Sequence, residues 1–143
     1  MSEDFYIVSI PFHITKTSNI LKLRLHRAFK EHGVNITPEQ WAVLNILWKE
    51  DGRTQKEIAE KVFKDASNLT RMLDLLEKED LIERRRHEND RRSYRIFLTK
   101  KGKDIKKKLI PIWKKSNEDS LKRLSKKKRE MLVDALTVIS EEH

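Results

Sequence analysis

Residues 84–92, RRRHENDRR, place five arginines in nine positions and divide them with His87, Glu88, Asn89 and Asp90. A guanidinium offers its N–H donors in a rigid fork that fits phosphate or carboxylate in bidentate pairs. At a hairpin tip an arginine can enter a narrow DNA minor groove, where the negative potential is enhanced. Asp90, two positions before Arg92, can hold and orient that guanidinium. A second set, Ser67, Asn68, Thr70 and Arg71, is polar within a stretch of helical period. In a major groove an asparagine pairs with adenine N6/N7 and an arginine with guanine O6/N7. Thr54 and Gln55 open a short predicted helix, whose start offers backbone N–H groups and the Thr54 hydroxyl to phosphate.

Charge favours the same chemistry. The chain has 32 Lys and Arg against 23 Asp and Glu, a net charge of +9, which calls for a polyanionic partner, nucleic acid before membrane. It contains no cysteine, so disulfides, thiolate nucleophiles, zinc fingers and thiol redox sensing are excluded. No cofactor is called for. The five histidines show no metal spacing, and His13 and His26 read as surface or interface residues before pocket residues. No Ser/His/Asp, paired-carboxylate or phosphate-loop arrangement is visible, so an enzyme is not expected. There is no apolar run of about 18 residues, and FYIVSIPFHI near the N-terminus lacks a basic flank and a cleavage site. A cytoplasmic protein without a membrane segment is expected.

The elements that must carry these groups are mainly helical. Ile14, Ser18, Leu21, Leu25 and Phe29 recur at spacings of three and four over about residues 10–32. Thr37-Pro38-Glu39-Gln40 is a capping box, opening a helix with Trp41, Val43, Leu44, Ile46, Leu47 and Trp48. A second box, Thr54-Gln55-Lys56-Glu57, opens a short helix, and Asp65 or Ser67 caps a fourth through about Glu79. This fourth helix turns Leu69, Met72, Leu73 and Leu76 inward and Ser67, Asn68, Thr70 and Arg71 outward, which makes a helix-turn-helix. The period then changes to two. Residues 81–86 and 93–98 read as strands around HENDRR, with Tyr94, Ile96 and Leu98 inward. Thr99 caps a helix toward residue 123, with Gly102 in its first turn and a bend at Pro111. Ser125 opens a last helix with Met131, Leu132, Leu136 and Ile139 as its stripe. Gly33 and Gly52 suit left-handed positions after helices.

A helix-turn-helix followed at once by a basic hairpin is a winged helix. Residues 37–102, with LTRMLDLLEKEDLIERR and the Asp90-x-Arg92 wing before FLTKKG, resemble the MarR (multiple antibiotic resistance regulator) family of winged-helix repressors. The resemblance implies a mainly α fold with a small β-hairpin wing (α+β). It places a winged helix-turn-helix DNA-binding region at 35–100 and helical dimerisation regions at 1–34 and 101–143 of one domain. It also implies groove contacts by Ser67, Asn68, Thr70 and Arg71, and a minor-groove role for Arg92 with Arg91 beside it and Asp90 in support. Thr54, Gln55 and Arg86 complete the expected DNA-binding set.

By the same resemblance the protein is a homodimer on a pseudo-palindromic duplex operator, a repressor released by a small amphipathic or aromatic effector. Asp80 departs from the family, which usually has glycine after the recognition helix, and a small stability cost follows. For Trp41, Trp48 and Trp113 core packing is favoured over a ligand pocket, because all three lie on apolar stripes. The lysines at 100–108 and 126–129 read as solvated faces or diffuse DNA attraction. Two other functions stand beside this one: a non-specific architectural or chromatin-like DNA binder, and a winged helix that binds only protein.

Overall fold

The computed structural model describes residues 9–62, 66–87 and 90–141; side chains are not described at 66, 87 and 90–93. Among these residues the order is α1 (Ile10–Glu31), α2 (Pro38–Lys49), β1 (Arg53–Thr54), α3 (Gln55–Val62), α4 (Ala66–Lys78), β2 (Ile82–His87), β3 (Asp90–Leu98), α5 (Lys100–Asp104), α6 (Lys106–Leu121) and α7 (Lys126–Ser140). The strands form one antiparallel sheet in the order β1-β3-β2.

Local chemistry explains the boundaries. Gln40 N donates to Thr37 Oγ1 at 3.1 Å and Thr37 N to Gln40 Oε1 at 3.0 Å, the reciprocal pair of a capping box. α1 ends where Gly33 N reaches Lys30 O and Val34 N reaches Phe29 O, with Gly33 at φ +72°. α4 ends in the same motif: Asp80 N donates to Glu77 O and Leu81 N to Leu76 O, with Asp80 at φ +60°. The left-handed turn expected at Asp80 is therefore present without glycine.

The central helix is α2. Its Trp41, Val43, Leu44 and Leu47 meet Phe29 of α1, Ile58 of α3, Leu69, Leu73 and Leu76 of α4, Ile82 and Ile96 of the sheet, and Leu109 of α6, all buried. Trp41 is the hub of the aromatic cluster, 5.6 Å from Phe29, 5.5 Å edge-on to Trp48 and 6.0 Å from Trp113 in a stacked arrangement. Trp48 Nε1 donates to Gly102 O at 2.9 Å, so its polar edge is satisfied inside the fold. These contacts support packing as the role of the three tryptophans.

Several expectations need correction. The first wing strand is shifted by one from residues 81–86 and the second is longer than 93–98: His87 and Asp90 already pair across the hairpin, after an irregularity between Arg86 and His87. The short strand β1 was not foreseen, because two residues show no period; Thr54 both ends it and caps α3. Tyr94 is exposed rather than inward, since it lies opposite Arg86 beyond the last core layer. The helix expected from Thr99 is two helices, broken at Ile105. Ser67 lies inside α4 rather than capping it, and Asp65 lies outside the described residues. In α1 only Leu25 and Phe29 of the expected stripe are buried, while Ile14 and Leu21 are exposed.

Candidate nucleic-acid interface

The orientation of α4 follows from its three completely buried leucines. Leu69, Leu73 and Leu76 sit at spacings of four and three and fix one face to the core. Ser67, Asn68, Thr70 and Arg71 are consequently all exposed on the opposite side of its first two turns. A hydroxyl, an amide and a guanidinium thus project from the end of α4 that a groove would meet first.

Two of the expected contact residues hold each other. Gln55 Nε2, at the start of α3, donates to Thr70 Oγ1 at 2.8 Å. Thr54 is also engaged: its Oγ1 accepts from Glu57 N at 3.2 Å and donates to Glu57 Oε1 at 3.1 Å. The hydroxyl expected to face phosphate is therefore committed to capping.

The three arginines of β2 have three different environments. Arg84 is in register with buried Ile96 and turns inward. Its Nη1 lies 2.8 Å from Asp74 Oδ1 and 3.3 Å from Glu77 Oε1, and its Nη2 donates to Thr70 O at 3.2 Å. Arg85 is on the other face, paired with Glu83 and lying 4.3 Å over the Phe97 ring. Arg86 is exposed, one pair further toward the tip. Asp90, Arg91 and Arg92 belong to β3, but their side chains, and hence the orienting role expected of Asp90, lie outside the described residues.

Arg53, which the sequence did not single out, ties the support together. It bonds Glu57 through Nη1 at 2.9 Å and Glu50 through Nη2, joining the end of α2, β1 and α3. The Arg53 bond holds the Glu57 carboxyl below its ordinary value of 4.5, against a smaller opposing effect of burial. Arg84 was legible in principle: it stands two residues after buried Ile82, on the inward face of an alternating strand. Inside a run of arginines that signal was masked.

A cleft between α1 and α6 is lined by Arg24, Arg27, Lys107, Lys108, Lys115 and Arg123 among others, with Glu31 and Asp119 as its acidic members. Among the described residues no cluster of His, Asp or Glu could hold a metal ion, and no helix is long and apolar enough to cross a membrane.

Known proteins share this fold. The MarR family model matches residues 36–94. The organic hydroperoxide resistance transcriptional regulator of Bacillus subtilis (strain 168) is 39% identical over 79 residues, which is 55% of this chain and 54% of that protein. The chain thus spans about half the length of the curated relatives it matches. A MarR transcriptional regulator from Methanosarcina mazei Go1 superposes with a TM-score of 0.80 at 26% identity, covering 91% of this chain and 92% of that one. The transcriptional repressor CouR, in a structure bound to a 23-mer DNA duplex, superposes with a TM-score of 0.83 at 28% identity, covering 92% of each chain. The named relatives are regulators of transcription.

Proposed function

We propose that this chain, which belongs to the MarR family, regulates transcription as a homodimer that reads a pseudo-palindromic duplex and represses the genes beside it. The observation that carries the reading is the face of α4, where Ser67, Asn68, Thr70 and Arg71 project while Leu69, Leu73 and Leu76 are sealed in the core. Phosphate attraction alone would be served by lysines. An amide and a guanidinium at groove-facing positions are the groups that distinguish base pairs. The wing, with Arg86 on β2 and Arg91 and Arg92 on β3, follows within one strand length and supplies a minor-groove contact, with Asp90 aiming Arg92. That CouR, similar in fold, is known on a duplex supports the same partner here.

Dimerisation is supported by two helices that leave many of their apolar residues exposed. None of the residues of α7 is buried, and Met131, Leu132, Val133, Leu136, Val138 and Ile139 are all exposed. Ile10, Phe12, Ile14, Ile20, Leu21 and Leu23 do the same on α1. Exposed apolar residues in that number mark an interface, and a second copy using residues 1–34 and 101–143 would cover them. Two-fold symmetry would set the two α4 helices about 34 Å apart, one turn of DNA. The cationic cleft between α1 and α6 suits an amphipathic effector that carries a carboxylate, whose binding would change that spacing and release the DNA in the cytoplasm.

Selection of bound sites from random duplexes tests the reading, and a two-fold related site about one helical turn between half-site centres is the expected result. The non-specific architectural alternative draws on the charge of +9; it predicts steep salt dependence and no preferred site. A winged helix that binds only protein would be indifferent to charge reversal at Arg91 and Arg92.

A further inference from the structure

We propose that Arg84 is a positioning residue, which fixes the angle of the wing against α4 so that helix and wing reach the duplex together; the proposal rests on the DNA-binding reading above. Arg84 stands apart from its neighbours in the basic run. Its side chain is only 16% exposed, against 60% for Arg85, and it points away from solvent into α4. Its guanidinium bridges Asp74, Glu77 and the Thr70 carbonyl, and its backbone N donates to Glu77 Oε2 at 3.3 Å. Both the side chain and the main chain of one wing residue are thereby held by the recognition helix.

The junction extends to the third element. Thr70 gives its carbonyl to Arg84 and its hydroxyl to Gln55, so α3, α4 and β2 meet at a single residue on the exposed face of α4. Across the sheet Arg84 is in register with Ile96, which also pairs with Arg53 of β1. Beyond Arg84 the strand has no comparable anchor on α4 among the described residues. His87, the last described residue of β2, is three residues further, about 10 Å at the usual rise. A tilt of about 10° at the anchor would move that end by about 2 Å, beyond the tolerance of about 0.5 Å that a precise contact allows. A planar fork that satisfies three acceptors resists such a tilt, and a lysine would not.

The test uses the full chain on a preferred duplex selected from a random pool and on random duplex. Arg84→Ala should weaken the preferred complex about tenfold and the random complex by less than about twofold. In an Arg92→Ala background the slope of log K against log salt should stay unchanged on adding Arg84→Ala, because Arg84 itself neutralises no phosphate; a direct phosphate contact would lower it by about 0.9. In an Arg92→Ala background the Arg84→Ala loss should shrink below about twofold, since there is no wing contact left to aim.

Asp74→Asn with Glu77→Gln removes the anchor from the other side and alters side chains that are 62% and 45% exposed, so it keeps the fold if Arg84→Ala does not. Charge alone would make this double variant bind every duplex more tightly; loss of positioning should lower its preferred-to-random ratio about fivefold. A salt slope reduced by Arg84→Ala in the Arg92→Ala background, additive losses with Arg92→Ala, or an unchanged ratio in the double variant each overturns the proposal. A wild-type protein without any preferred duplex overturns sequence-specific recognition, and this proposal with it. A wild-type preference that survives in every variant overturns this proposal alone.

Discussion

Gly102 lies against Leu81 so closely that a Cβ at residue 102 would stand 2.0 Å from the Leu81 carbonyl oxygen. That oxygen also accepts from Thr99 N at 3.1 Å, and the carbonyl of Gly102 accepts from Trp48. The end of α4, the start of α5 and the tryptophan of α2 therefore meet where only a residue without a side chain fits. Gly102→Ala should cost about 3 kcal/mol, at the upper end of overpacking effects because the obstacle is backbone. Thermal or urea unfolding checks this, and an unchanged midpoint would mean that the α4–β2 corner yields.

Asp80 holds φ +60° after α4, and its carbonyl accepts from Thr99 Oγ1 at 2.6 Å. Both of its backbone roles survive substitution by glycine, which enters the left-handed region without penalty. Asp80→Gly should stabilise the protein by about 0.5–1 kcal/mol without changing DNA affinity. A loss of stability in the same unfolding series would assign the Asp80 side chain a role of its own.

Arg129 joins the last two helices. It pairs with both oxygens of Glu118 at 2.9 and 3.0 Å and donates to the carbonyls of Leu121 and Leu124. The Arg129 bond holds the Glu118 carboxyl below its ordinary value of 4.5. A carboxyl lowered on folding contributes stability that is complete above the unfolded value and is lost as the pH falls through the folded one. Melting measured from neutral pH downward should therefore show a steeper acid loss, beginning below 4.5, for wild type than for Glu118→Gln. Parallel curves would show that the pair is inert.

Arg71 projects from α4 beside Thr70, with no part in the core. Arg71→Ala should cost about 1–3 kcal/mol on a preferred duplex and relax the choice of one base pair. Binding titrations on preferred and random duplexes decide the matter; equal losses on both would leave Arg71 as a phosphate contact only.

Val133 and Ile139 are among the exposed apolar residues of α7. Glutamate at both positions should leave the single chain folded but bury two unpaired charges in a dimer, weakening association by at least about a hundredfold. Sedimentation should then find a dimer for the wild type and a monomer for the variant. Deletion of residues 1–14 tests the same interface from α1, and a stable DNA-competent dimer in both cases would move the interface elsewhere.

Much of this protein could be read without coordinates, because the deciding signals are local. A capping box such as Thr37 and Gln40 involves neighbours in sequence, and the period of Leu69, Leu73 and Leu76 alone determines which face of α4 must turn outward. The exposed set at Ser67, Asn68, Thr70 and Arg71 follows from that period. The change to alternation after Leu81 likewise announces the wing.

Tertiary structure decided what distant groups do to one another. Three consecutive arginines are chemically identical in sequence, yet the pleat sends Arg84 toward Asp74 and Glu77 and Arg85 toward Phe97. Gln55 and Thr70, fifteen residues apart, meet only because α3 and α4 pack with one helix start against the other. The two-residue strand β1 exists because β3 offers it an edge, and no period could reveal it. Periodicity reports which side of an element is buried; the partner it is buried against depends on how elements cross, and that geometry is set by the packing around Trp41 and Leu44 in α2.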